Sequence, residues 1–219
     1  MSMPSEEPTV AAAEGGARAA PRRRRHDPER RDRIVAACLD VIAEHGVAGT
    51  SHRRVAAAAD VPLGSMTYHF AGMDELLEAA FRRFAEGAAA NLERRTAAAQ
   101  GLEEALAAFA SNIDEDVFGT DRDLVLSLEL YTLAARRPAF REITSAWMDR
   151  TRACLEPFVD DTTATLLDAM NEGLTIHRAL HDREPRPGLA QEAIARLAAP
   201  ATTPGCGSEQ AGGPEPTPA

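Results

Sequence analysis

The chain contains no lysine; all 24 of its cationic side chains are arginine, which we read as compositional bias and not as a functional device. Aromatics make up only 5% of it, with one Trp and two Tyr. A core must therefore come from aliphatic and alanine side chains, which favours closely packed helices. The three cysteines, Cys38, Cys154 and Cys206, are dispersed without a CxxC. An odd, scattered set argues against a disulfide scaffold or a cysteine zinc site and fits a reducing cytoplasm. No apolar run approaches the roughly 18 residues of a membrane span. The N-terminus has no apolar signal core, so a cytoplasmic protein is expected. GxSxG, GxGxxG and P-loop patterns are missing, and the expectation is no enzyme and no cofactor. His177 and His181 stand four apart, a spacing that can hold a metal, yet no third ligand accompanies them, so no metal site is assigned.

What is present is distributed unevenly. The 219 residues, 44% apolar, suffice for one large or two small domains. Net charge is −10 overall, but residues 18–73 carry ten Arg against six acids, a local +4. Residues 74–219 carry 14 Arg against 25 acids. A basic head on an acidic body is the footprint of a protein that grips nucleic acid at one end.

Residues 50–77, TSHRRVAAAADVPLGSMTYHFAGMDELL, organise that head. Thr50 is suited to cap a short helix with Val55, Ala56 and Ala59 inward. Asp60-Val61-Pro62 breaks it, and Pro62 can open a second helix running to about His69. Met66 and Phe70 are expected inward, and Leu63, Gly64, Ser65, Thr67, Tyr68 and His69 outward. Two packed helices with a polar outer face would give the same spacing. So would a helix-turn-helix whose second helix enters a DNA groove, with hydroxyls and rings on phosphates and Gly64 allowing close approach.

The segment resembles the DNA-binding part of the tetracycline-repressor (TetR) family of bacterial regulators. The residues that carry the likeness are Gly46, Thr50-Ser51, Val55-Ala56, Ala59-Asp60-Val61, Gly64-Ser65-Met66, Tyr68-His69-Phe70 and Leu76-Leu77, in the family's order and spacing. It covers about 27–77; beyond that only helix number and length are similar. Asp60 replaces the usual turn glycine, Thr67 a common tyrosine, and Met73 a common lysine, which removes one phosphate contact or moves it elsewhere. The resemblance implies an all-α protein: a three-helix DNA-binding domain, then a helical effector-binding and dimerisation domain. It implies DNA contact by Thr50, Ser51, His52, Arg53, Leu63, Gly64, Ser65, Thr67, Tyr68 and His69, with backbone N–H groups of Thr50 and Ser51 at a helix start.

Taken in order, 1–26 is expected to be a disordered arm whose Arg22, Arg23, Arg24 and Arg25 either stay solvated or reach DNA. The DNA-binding domain spans 27–72. Its first helix, 28–45, is capped by Asp27 with Pro28 in the first turn, and closes at Gly46. Ile34, Ala37, Cys38, Val41 and Ile42 form its buried stripe, with Cys38 as core filler. The helical body, 73–199, begins with a helix to about residue 99, capped by Gly72 or Asp74. Its Leu76, Leu77, Ala80, Phe81 and Phe84 face inward, and Gly87 weakens it by roughly 1 kcal/mol.

A second body helix, 102–117, presents Leu102, Leu106, Phe109, Ile113 and Val117 before Phe118-Gly119-Thr120. A third, 121–137, is apolar almost all round and therefore central; Glu129, Ser127 and Thr132 within it are either satisfied polar groups or pocket groups facing a ligand, and Glu129 requires a partner, an arginine for choice. Helices 138–158 and 161–181 match the family's dimerising pair, and two copies would form a four-helix bundle. A short helix over 188–199 and a disordered tail over 200–219 finish the chain.

The expected function is a ligand-responsive, homodimeric repressor on a palindromic operator. Its effector is taken to be small and hydrophobic or aromatic, in a cavity lined by Phe109, Ile113, Tyr131, Trp147 and Met170. The competing reading, a helical protein-interaction module without sequence-specific DNA binding, leaves the basic head and its outward side chains unexplained.

Overall fold

Asp27 is not the cap of the first helix: Glu29 stands at the N-cap without a side-chain cap bond, and the Asp27 carboxylate braces the preceding turn. It accepts the Glu29 N–H at 3.1 Å and Arg33 Nη1 at 2.6 Å, and the arginine holds its carboxyl below the usual range. Helix α1 is Arg30–Gly49, so Pro28 lies in the preceding turn and not at the first helical position. Regular geometry breaks at Gly46 (φ 68°, ψ 170°), a conformation that L side chains rarely adopt. Thr50 closes the segment: its hydroxyl donates to the Gly46 carbonyl at 2.8 Å and its N–H to Val47 at 3.1 Å. The sequence reading places Thr50 at the start of the next helix; here it ends α1. Ser51 takes the starting role for α2, His52–Ala58, accepting the Arg54 N–H at 3.4 Å.

Asp60, at φ 51°, makes the turn into α3, Gly64–His69. Asp tolerates that region better than most residues. Ile34, Cys38 and Ile42 meet Val55, Met66 and Phe70 in a core from which water is excluded. Burial pushes the Cys38 thiol up to about 12, consistent with an inert filler.

The structure is a computed structural model that describes residues 27–115, 120–182 and 186–199. The arm over 1–26, the expected helix end at Val117, Phe118 and Gly119, and the tail over 200–219 lie outside the described residues. The body comprises α4 (Met73–Thr96), α5 (Leu102–Glu115), α6 (Asp121–Ala134), α7 (Pro138–Ala153), α8 (Asp161–Leu180) and α9 (Leu189–Ala198). No strand occurs among the described residues. Helices α6 and α7 stop three and five residues short of the expected ends, for one reason. Ala134 precedes Pro138 by four residues, and Ala153 precedes Pro157 by four. A proline ring collides with the carbonyl four back and cannot donate to it. Asp160 then caps α8, accepting the N–H and hydroxyl of Thr163 at 3.0 and 2.8 Å.

One core runs from the head through α4 into Leu126, Leu130, Phe140 and Ile143; a second gathers Phe109, Ile113, Leu155, Leu167 and Ile194. Polar ties cross between head and body as well. Arg122 pairs with Asp40 at 2.8 Å and Arg83 donates to the Asp32 carbonyl at 3.2 Å; within the body, Arg137 pairs with Asp74 at 2.7 Å. Glu129 is half-buried, but no arginine meets it among the described residues. Its carboxylate lies over Gly46 instead, where an added Cβ would stand 2.6 Å from Oε1. The backbone angle alone favours glycine at position 46; a side chain there would also push the flexible end of Glu129 aside.

Candidate functional site

Helix α3 is six residues long and is held at one edge of the head by Met66 and Phe70, both buried. Arg31 stacks its guanidinium over the Phe70 ring at 5.0 Å. Opposite that packing, Leu63 is 55% exposed and Tyr68 is 81% exposed, both large for solvent-facing apolar groups. Gly64 and Thr67 share the outer surface; His69, half-buried, sits edge-on to Tyr68 at 4.9 Å. Ser65 departs from expectation, being buried with 9% exposure. The inward arc of α3 is two residues wide, so Ser65 and Met66 share it with His69 and Phe70 one turn later.

The α2 end presents Ser51 and Arg53 to solvent, while Arg54 donates to the Gly49 carbonyl. His52 turns Nε2 out of solvent with no hydrogen-bond partner. The N–H of Thr50 is committed to Val47 and offers nothing to a phosphate. Met73, first residue of α4, packs against the head core.

A second constellation lies inside the body. Asp168, Asn171, Glu172 and Thr175 of α8 face Tyr131 of α6 and Trp147 of α7 across a small cavity of about 30 Å³. That is room for water but not for a drug-sized molecule. The Tyr131 hydroxyl donates to Glu172, and burial with that carboxylate raises the phenol far above its ordinary range. Tyr131 and Trp147 stand nearly parallel, 23° apart with centroids at 6.4 Å. Burial pushes the Asp168 carboxyl up to about 7, helped by the neighbouring Glu172 charge; Arg152, 4.0 Å away, opposes this only partly. Asn171 Oδ1 is buried without a partner among the described residues.

Of the five expected lining residues, Tyr131 and Trp147 line this cavity. Phe109 and Ile113 are buried core, and Met170 packs beside that core. The polar residues on α8 went unassigned from sequence, although they recur at steps of three and four, the same signal that marks an apolar stripe.

Comparison with known proteins decides the kinship. A model of the family described as bacterial regulatory proteins, tetR family, matches residues 34–80. The crystal structure of SCO7518 from Streptomyces coelicolor A3(2) is 53% identical, with a TM-score of 0.74 over 79% of this chain and 100% of that one. The chain belongs to the TetR family. The HTH-type transcriptional regulator CymR of Pseudomonas putida is 31% identical over 128 residues, 58% of this TetR-family chain and 62% of CymR, so the match spans less than two thirds of that relative. The multidrug binding protein EbrR, solved in complex with ethidium, is 40% identical with a TM-score of 0.68, covering 78% of this chain and 99% of its own.

One further surface of this TetR-family protein stands open. On α8, Leu166 is 47% and Leu180 61% exposed, with Ala169 and His177 also outward. Helix α7 differs: Phe140 and Ile143 are buried in its own chain, and Arg141, Glu142, Ser145 and Asp149 face out. Of the two helices expected to pair between subunits, α8 alone carries an apolar outer face.

Proposed function

We propose that this protein is a dimeric transcriptional repressor that grips operator DNA through α3 and releases it when an aromatic cation enters the body. The observation that carries the DNA reading is the outward presentation of Leu63, Thr67 and Tyr68 from a helix too short to hold itself, braced from behind by Met66 and Phe70. Ser51, Arg53 and Gly64 also face solvent, and the +4 of residues 18–73 supplies the electrostatic attraction. In this reading residues 27–72 form the operator-binding domain and 73–199 the effector and dimerisation domain. They share a core, so a change in one is felt in the other. The α8 face with Leu166 and Leu180 would meet its copy across a two-fold axis, because one six-residue recognition helix reads too few bases alone.

For the effector, the expectation of a hydrophobic molecule is revised towards charge. The cavity offers aromatic plates, Tyr131 and Trp147, beside two carboxylates, Asp168 and Glu172. EbrR, the neighbour above, has been solved with ethidium, proflavin and malachite green, all aromatic cations. A cavity of about 30 Å³ must widen to admit such a molecule, so binding selects a different arrangement of α6, α7 and α8. A hundredfold loss of DNA affinity needs only about 2.7 kcal/mol of coupling.

The test is a gel shift at fixed, stated salt, using DNA from upstream of the gene, with and without ethidium. Retarded DNA that is released by the dye is the expected result. A protein indifferent to that DNA would favour the helical protein-interaction module, and binding unmoved by aromatic cations would remove the effector assignment.

A further inference from the structure

Where α1 passes the middle of α4 and the start of α6, the surface opens into a groove of about 570 Å³. That falls inside the roughly 300–1,000 Å³ typical of small-molecule sites. We propose that this groove is a second ligand site, taking an organic anion with a flat apolar body, such as an aryl carboxylate.

Three observations carry the assignment. The first is room for the body of the molecule: Phe84 and Trp147, edge to face at 5.7 Å, line it beside Leu39. Gly87 opens the α4 wall, since a Cβ there would meet nothing within 4 Å. The second is charge. Arg122 is neutralised by Asp40 at 2.8 Å and Asp123 at 3.6 Å. Arg83 and Arg94, also on the rim, donate only to neutral acceptors, the Asp32 carbonyl at 3.2 Å and Asn91 Oδ1 at 3.0 Å. Neither has a carboxylate within ion-pair distance among the described residues. Three arginines against two aspartates leave the lining with a net positive charge, and a carboxylate would complete both guanidinium groups. The third is Ser127, which lines the groove fully buried, its hydroxyl without a hydrogen-bond partner among the described residues. A buried hydroxyl left unpaired costs free energy that a ligand acceptor recovers.

The groove adjoins the inner cavity at Ala88, Asn112 and Trp147, but the two carry opposite charge: arginines outside, Asp168 and Glu172 inside. Because α1 supplies Leu39 and Asp40, an anion seated here stands between head and body and competes with Asp40 for Arg122. This site does not depend on the effector assigned to the inner cavity.

Calorimetric titration of the full-length protein with 2-naphthoate, and with the neutral alcohol 2-naphthylmethanol, tests the proposal without DNA. Saturable binding of the acid is expected, with the alcohol at least about tenfold weaker. Arg94→Gln and Arg83→Gln, both on exposed residues, should each weaken the acid several-fold, and Ser127→Ala likewise. Asp168→Asn should leave it unchanged. Absence of saturable heat, equal affinity for acid and alcohol, or full affinity in both arginine variants overturns the site. Loss of the acid in Asp168→Asn overturns it too, by moving the carboxylate to the inner cavity. Thermal melts of each variant identify any that fail to fold.

Discussion

Between α1 and α3, Ser65 is the one polar residue out of solvent among the described residues; between α4 and α8, Asn112, Ser127, Asp168, Asn171 and Thr175 all are, with others beside them. The head is packed for rigidity: aliphatic stripes meet around Phe70 with the raised thiol of Cys38 among them, and its unpartnered polar atoms, Arg30 Nε and His52 Nε2, belong to side chains that are only half-buried. In the body Ser127 and Asn171 are themselves buried, with Oγ and Oδ1 unpartnered among the described residues, a placement that costs free energy. A region that retains such groups between well-packed helices is built for something other than stability. The contrast assigns precision to the head and responsiveness to the body, and it can be broken at either end.

The largest effect should come from the head core. Phe70→Ala is expected to cost about 3–5 kcal/mol in urea unfolding, and with it the orientation of α3. A loss below about 1 kcal/mol would mean that the head is looser than its packing implies.

Next comes Asp168. Its folded-state carboxyl titrates near 7, above the ordinary 3.8 of an unfolded chain. Between those values the native protein holds a proton that the unfolded chain has lost, so stability falls as pH rises through the window. The expected fall is no more than about 4 kcal/mol from about pH 4 to about pH 7, and Asp168→Asn should flatten it. In the same window the affinity for ethidium should rise with pH, as Asp168 becomes an anion. A pH-independent dissociation constant would take Asp168 out of the effector site.

Smaller again is Tyr68→Ala, expected to cost about 1–3 kcal/mol of operator affinity while the melting temperature stays put. Unaltered retardation in a gel shift would remove α3 from the DNA interface. Smallest is Thr50→Ala, which deletes the hydroxyl bond to Gly46 and should cost about 1 kcal/mol of stability. Loss of operator affinity larger than that stability change would return Thr50 to the DNA contacts.

Much of this architecture is readable from local chemistry. The Gly46 break, the Asp60 turn and the Met66–Phe70 anchor all follow from rules that act over four residues or fewer, whereas the first helix starts two residues later than Asp27 would cap it. Even the two misplaced helix ends were available, because Pro138 and Pro157 each cancel the carbonyl four positions back. Ser65 was misplaced for a geometric reason: in so short a helix, one turn cannot distinguish a narrow inward stripe from a wide one. The cavity was harder. Phe109 and Ile113 are aromatic and aliphatic like pocket walls, yet the contacts that bury them come from α8 and α9, far along the chain. Asp168 and Glu172 look like solvating charges on α8 until Tyr131 and Trp147 close over them. Glu129 illustrates the same limit, since its neighbour proved to be a glycine more than eighty residues earlier.

Trp147 is the chain's one indole, and it forms part of the wall between the inner cavity and the outer groove. Its ultraviolet emission is therefore a built-in gauge: a dye entering from the acidic side and an acid lodging on the arginine side must both perturb the same fluorophore. The unlabelled protein can therefore report which compartment is filled by the direction of its spectral shift.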